Sequence, residues 1–249
     1  MPNDDGTLVW ISGATQGIGE SLARTCPYPD ATIINISRRH HPEFESIVMD
    51  LTDPATWAAV TDDFERRLAD FGGRRAIFIH NAFWHRWAYA GEGDPDEQFR
   101  EVMANVASPL VLGEAFLRAS RPAVEAGVEV GLVQMSSGSA RLVYPGMACY
   151  GAAKASMEQW VRNVRSEIAH RGRGPWVIAV RPGFVDTPAA RDMAGVSPED
   201  MPWARATAES LESGEGVLES DDCARQIWSS LPPTGERSVL WFGEAVGAE

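Results

Sequence analysis

Short, uninterrupted apolar runs recur along the chain, parted by longer stretches in which apolar residues return every three or four positions. The runs at 7–12 (TLVWIS), 31–37 (ATIINIS), 46–51 (SIVMDL), 74–82 (RRAIFIHNA), 129–136, 175–180 (PWVIAV) and 238–242 (SVLWF) have the length and branched content of buried strands. Helical spacing governs 54–70, where Trp57, Val60, Phe64 and Leu68 share a face behind Pro54 in a first turn. It also governs 96–119, with Asn105 in its middle, 149–170, where Met157, Val161, Val164 and Ile168 continue a stripe, and 221–230. Strands alternating with helices predict an α/β fold, one doubly wound, mostly parallel seven-stranded sheet with helices on both faces. Only about eight residues part the second and third runs, short of a crossover helix, so that link is an abbreviated turn or a strand boundary lies elsewhere. No repeat or linker divides residues 1–249, which read as a single domain. Within it, 188–216, with a helical piece at 203–213, reads as a movable flap over a site.

Composition narrows the partners. The formal net charge of −13 argues against nucleic acid or an anionic membrane surface. No apolar run approaches the roughly 18 residues of a membrane span, and the acidic N-terminus is unlike a secretory signal. Cys26, Cys149 and Cys223 are odd in number, far apart and without metal-ligand spacing. They read as reduced thiols of a cytoplasmic protein with no metal site.

The chemistry gathers at 137–154, SGSARLVYPGMACYGAAK. Tyr150 and Lys154 are four apart, one turn on a helix, and Ser137 stands at the end of the fifth apolar run. Lys154 is the only lysine among 22 basic residues, which suggests a demand for a compact ammonium rather than a planar fork. The expectation is a proton-transfer device in which Lys154 depresses the pKa of Tyr150 while Ser137 holds a carbonyl or alcohol oxygen. After the first strand, Gly13-Ala14-Thr15-Gln16-Gly17-Ile18-Gly19 opens a helix, the arrangement of a pyrophosphate cradle, although such turns also merely join strand to helix. Ser37 and Arg38 end the second strand where an acidic residue would select a free ribose hydroxyl, favouring NADP(H) over NAD(H), unless the arginine is only a solvated turn residue. Asp50 ends the third run within reach of an adenine, and a buried Asn105 amide demands a hydrogen-bonding partner.

In this order and spacing, these motifs resemble the non-extended short-chain dehydrogenase/reductases over essentially the whole length. The resemblance implies a Rossmann-like fold, a nicotinamide dinucleotide and reversible hydride transfer between an alcohol and a ketone or aldehyde. It implies that Ser12, Gly13, Gly17, Ile18 and Gly19 cradle the pyrophosphate, that Arg38 holds a 2′-phosphate, and that Asp50 and Leu51 border adenine. Asn81 and Ala82 would wall the cofactor, Pro182 and Gly183 would turn beside it, and Val185 and Thr187 would hold its carboxamide. Tyr150 would donate or accept the proton, Lys154 would bind the nicotinamide ribose, and Asn105 would hold a water in the relay. Departures from the family pattern are Ser12 for Thr, His80-Asn81-Ala82-Phe83 for Asn-Asn-Ala-Gly, and the short link after Arg38. Within the family the ISRR, MSSGSA, ACYGAAK and PGFVDT segments are most similar to sepiapterin reductase and the bacterial benzil reductases, which use NADPH on vicinal dicarbonyl or aryl carbonyl compounds.

Phe83, Trp84, Trp87, Tyr144, Met147, Phe184, Met193 and Trp203 fall on segments that border the substrate in such a fold, and suit a flat aromatic carbonyl or alcohol. Some of these rings could equally pack the core. Assembly as a homodimer or homotetramer through the two long helices is the expectation by family analogy. Competing readings are an NAD-dependent alcohol dehydrogenase of the same family, a dinucleotide-binding regulator without turnover, and a halohydrin dehalogenase relative. The retained Tyr150, Lys154 and glycine turn argue against the last two.

Overall fold

The computed structural model describes residues 6–242. Its strands are β1 (Thr7–Ser12), β2 (Ala31–Ser37), β3 (Glu45–Val48), β4 (Arg75–His80), β5 (Glu129–Met135), β6 (Trp176–Arg181) and β7 (Val239–Trp241). They form one sheet in the order β3-β2-β1-β4-β5-β6-β7, every pair parallel. The helices are α1 (Gly17–Arg24), α2 (Ala58–Leu68), α3 (Pro95–Val102), α4 (Ser108–Ala119), α5 (Arg121–Glu125), α6 (Ala148–Arg171), α7 (Pro188–Ala194), α8 (Trp203–Ser213) and α9 (Ser220–Ser229). This is the doubly wound, Rossmann-like α/β fold that the alternation predicts.

Two apolar layers hold it. On one face α2, α4 and α6 bury Trp10, Phe64, Phe78 and Phe116, whose ring centroids lie 5.0 to 6.0 Å apart in edge-on or tilted pairs. The indole of Trp10 is fully buried and donates to Asp63 Oδ2 at 2.8 Å, so its one polar atom is satisfied. On the other face α1 and α9 cover Val9, Ile11, Ile77, Ile79 and Ile178. From β1 the sheet grows outward through β2 and β3, then reverses through β4, and a crevice opens at the strand ends where the order switches.

The differences from the sequence reading have local causes. The third strand stops at Val48 instead of Leu51, because the Asp50 carboxylate accepts from both N and Oγ1 of Thr52 (2.8 and 2.9 Å) and bends the chain. The link 38–44 holds no helix; β3 begins opposite Ile34, so the chain returns only the rise of a few residues, about 10 Å. The helix expected over 54–70 divides into a 3₁₀ turn at Pro54–Thr56 and α2. The long helix expected over 96–119 widens into a π turn at Met103–Ala107 between α3 and α4. Pro109 has no N–H for the carbonyl of Asn105, four residues before it, and its ring crowds that oxygen; the wide turn relieves both. This stretch, Pro95–Ala119, also reaches the length and mean hydropathy (1.2) of a membrane span, which the sequence reading did not recognise; half of that window is buried inside the protein.

Candidate active site

β1 delivers the chain to the glycine turn, and its last residue fastens that turn down. The Ser12 hydroxyl is fully buried and accepts from the backbone N–H groups of Asn81 and Ala82, both at 2.9 Å, while Asn81 Nδ2 donates to Ser12 O at 3.1 Å. Gly13 has φ +74°, and Gly17 φ +56°, in the left-handed region. A Cβ at Gly19 would lie 2.1 Å from Gly13 O, so α1 can approach the turn only without a side chain there. Ser12 and Gly19 therefore sit behind the cleft and shape it, whereas Gly13, Gly17 and Ile18 line it. No side chain caps α1, leaving its first N–H groups available to an anion. This uncapped, close-packed turn fits a dinucleotide pyrophosphate.

The cleft has a volume of about 710 Å³. Ser37, Arg38, Asp50 and Leu51 form its far end, and Asn81 with Ala82 its floor. Arg39, which the sequence reading passed over, reaches back to Thr15 Oγ1 (3.2 Å) and Gln16 Oε1 (3.0 Å) and lines the cleft beside Arg38. The arginine doublet was its only signal. Pro182, Gly183, Val185 and Thr187 form the opposite wall, and the Thr187 hydroxyl caps α7 at Ala190 N (3.1 Å).

Ser137, Tyr150 and Lys154 converge in the middle of the cleft. The Ser137 hydroxyl faces the Tyr150 phenol across the cleft and eases its ionisation, while itself accepting from Ser139 N at 3.2 Å. Lys154 is 3% exposed; its Nζ donates to Met135 O at 2.7 Å and lies 5.5 Å from the Tyr150 ring centroid. Burial pushes the Tyr150 phenol up to about 12, against the pull of the Ser137 hydroxyl and with a further push from Glu101. Burial also draws Lys154 down to about 7. In the protein alone the Tyr150 pKa is thus raised rather than depressed as expected: burial is the largest cause, and the phenol keeps its proton at neutral pH. Asn105 has the hydrogen-bonding partner that a buried amide demands. Its carboxamide accepts from Trp84 N (3.0 Å) and donates to Trp84 O (2.5 Å), so both ends of the side chain clamp the loop after β4 and it lies outside the cleft lining.

Rings close the near end. Phe83 and Trp87 pack on Tyr150 with centroids 5.7 and 6.1 Å away, and Trp87 meets Trp203 edge-on at 5.4 Å. Trp203 Nε1 donates to Pro145 O at 2.7 Å, holding α8 against the loop before Tyr150. His85, unmarked in the sequence reading, lies between Phe83 and Trp87 at 5.4 and 4.2 Å. Trp84, Tyr144, Met147, Phe184 and Met193 line the cleft as expected. The four charged side chains of its lining, Arg38, Arg39, Asp50 and Lys154, all belong to the glycine-turn end and the catalytic centre. Among the described residues no group of three His, Cys, Asp or Glu could hold a metal ion.

A family profile described as short chain dehydrogenase matches residues 7–195. The chain is 26% identical to the 3-oxoacyl-[acyl-carrier-protein] reductase FabG of Salmonella typhimurium, over 93% of this chain and 97% of that one. It is 24% identical to the benzil reductase ((S)-benzoin forming) of Bacillus cereus, over 78% of this chain and 81% of that one. A short chain dehydrogenase from Burkholderia cenocepacia, solved in complex with NADP, shares the fold with a TM-score of 0.67 at 21% identity, over 92% of this chain and 91% of that one.

A buried group behind the cleft, His80 at the end of β4, has a consequence for stability. Burial, and then the Lys154 charge, pull the His80 imidazole down to about 3, and its Nε2 sits 3.2 Å from Ser108 Oγ. An unfolded histidine binds its proton near pH 6.5, so the unfolded chain gains protons that folded His80 refuses, and stability falls as pH drops from about 6.5 towards 3. His80→Asn should abolish on the order of 2 kcal/mol of the stability lost between pH 7 and pH 5, read from urea unfolding at both values. Equal losses in parent and variant would show that His80 is not held neutral.

Proposed function

The chain belongs to the short chain dehydrogenase family of oxidoreductases, and from that premise we propose that it uses NADPH to reduce an uncharged, bulky aryl ketone or vicinal diketone to the alcohol, with the reverse oxidation using NADP. The observation that carries this reading is the division of the cleft. Its charged side chains lie at the glycine-turn end and the catalytic centre, and its substrate end is walled by Phe83, Trp87, Tyr144 and Trp203. Such a wall rewards a flat apolar ring and leaves a carboxylate or phosphate on the substrate without a partner. Arg38 and Arg39 together offer two guanidiniums to a 2′-phosphate. The likeness to a benzil reductase supports the substrate class, and the NADP bound by a solved relative supports the cofactor.

Bound along the cleft, the dinucleotide would supply the hydride. Ser137 holds the carbonyl oxygen by its hydroxyl. Tyr150, kept protonated by burial, gives its proton to that oxygen as negative charge grows there. Lys154, fixed on the Met135 carbonyl, offers its positive charge to the phenolate left behind. Asn105 steadies the loop that carries Phe83 and Trp87, and α7 with α8 shields the proton transfer from water. The exposed Phe99 and Val102 of α3 and Val111 of α4 support assembly into a homodimer or homotetramer along these helices.

Tyr150→Phe should lower kcat for an aryl diketone by about 10²- to 10⁴-fold while the Kd for NADPH, from fluorescence titration, stays within about threefold. A variant that turned over like the parent would remove Tyr150 as proton donor. The parent should prefer NADPH to NADH, and Arg38→Ala or Arg39→Ala should each raise the KM for NADPH about tenfold with little change for NADH. A parent that preferred NADH would overturn the reading of both arginines.

A further inference from the structure

One turn beyond Lys154, α6 carries a second buried charge. Tyr150, Lys154 and Glu158 follow one another at intervals of four along one helix face. Glu158 is 2% exposed, and its carboxylate accepts from Arg181 Nε and Nη2, both at 2.6 Å, from Ser136 Oγ at 2.7 Å and from Arg162 Nη2 at 3.3 Å. Two of these partners occupy telling positions. Ser136 immediately precedes Ser137, and Arg181 immediately precedes the Pro182-Gly183 wall of the cleft. Ser136 N also donates to Val180 O at 2.7 Å, so the ends of β5 and β6 lie side by side and both are tied to the same carboxylate.

Stability alone is a poor reason for this arrangement. Taking two charges out of water costs about what their attraction returns, and apolar side chains of similar volume often do as well. What apolar packing lacks is direction. A two-pronged guanidinium–carboxylate pair fixes the plane of Arg181, and the bond from Ser136 fixes the strand end next to it. Arg181 is held on its other side by the Trp241 ring, 4.7 Å away, and Trp241 lines the cleft. We propose that Glu158 is a positioning residue: it sets where Ser137 and the Gly183–Val185 wall stand relative to Tyr150. This rests on the reading of Ser137 as the group that holds the substrate oxygen. Glu158 touches neither substrate nor cofactor, and acts through Ser136 and Arg181.

The test replaces the pair by apolar residues, Glu158→Met with Arg181→Met, in the full-length protein. Amide hydrogen exchange of the segments 135–141 and 181–187 should accelerate by about tenfold or more, while exchange in β1 and β4 stays as in the parent. With an aryl diketone, kcat should fall by about tenfold with the Kd for NADPH within about threefold, and the pH profile of kcat should move upward as Ser137 draws away from the phenol whose pKa it lowers. Unchanged exchange in both segments, with unchanged kcat and pH profile, overturns the proposal; so does a loss of cofactor binding as large as the loss of turnover. Should the pair variant fail to fold, Ser136→Ala removes one neutral bond and no charge; the same changes are expected at smaller size, and parental exchange and kinetics in it are equally fatal. If the parent reduces no carbonyl compound, the functional reading falls, and the exchange rates still decide whether Glu158 holds the two segments.

Discussion

The hydrogen bond from the Lys154 ammonium to the Met135 carbonyl is the contact on which the site depends. A cation that is 3% exposed needs an acceptor, and the last residue of β5 provides one at 2.7 Å. This bond sets the register of α6 against β5, just before Ser136. One turn earlier Tyr150 then shares the cleft with Ser137; one turn later Glu158 is bonded to Ser136 and Arg181. The helix thus faces the strand ends with a phenol, an ammonium and a carboxylate in sequence.

Burial gives these groups their chemistry. The rings of Phe83 and Trp87 crowd Tyr150, and the same exclusion of water raises its pKa and lowers that of Lys154. A phenol that keeps its proton at neutral pH is a group able to donate it, and the phenolate it leaves can take it back. The rings that pack on Tyr150 also line the cleft. A substitution at Trp87 or Phe83 therefore changes both the surroundings of the phenol and the shape of the cleft.

Much of this is legible along the chain. β1, β2, β4, β5 and β6 are continuous apolar runs because both sheet faces are covered, and Tyr150, Lys154 and Ser137 declare themselves through helical spacing and the uniqueness of the lysine. What the sequence conceals depends on partners distant in the chain. Ser12 reads as a cofactor residue, yet its hydroxyl satisfies backbone groups of Asn81 and Ala82; the buried Asn105 amide announces that it needs a partner, but not that Trp84 is that partner. The ion pair of Glu158 and Arg181, 23 residues apart, looks like two ordinary charges until the strand ends are brought together. Pro109 was a visible signal for the π turn, since a proline inside a helical pattern deprives the carbonyl four residues earlier of its donor. Helical spacing shows the charge beside Tyr150 but not the burial that raises its pKa.

The account stands on hydride transfer to a carbonyl in the cleft between the glycine turn and the aromatic wall. It is tested most directly by incubating the protein with NADPH deuterated at nicotinamide C4 on the transferred face and an aryl diketone such as benzil, then locating the label by mass spectrometry and NMR. The account predicts one deuterium on the new carbinol carbon, and the same labelled product formed about 10²- to 10⁴-fold more slowly by the Tyr150→Phe variant. Cofactor that binds but is never oxidised by any aryl carbonyl, or an alcohol product free of carbon-bound label, would contradict it.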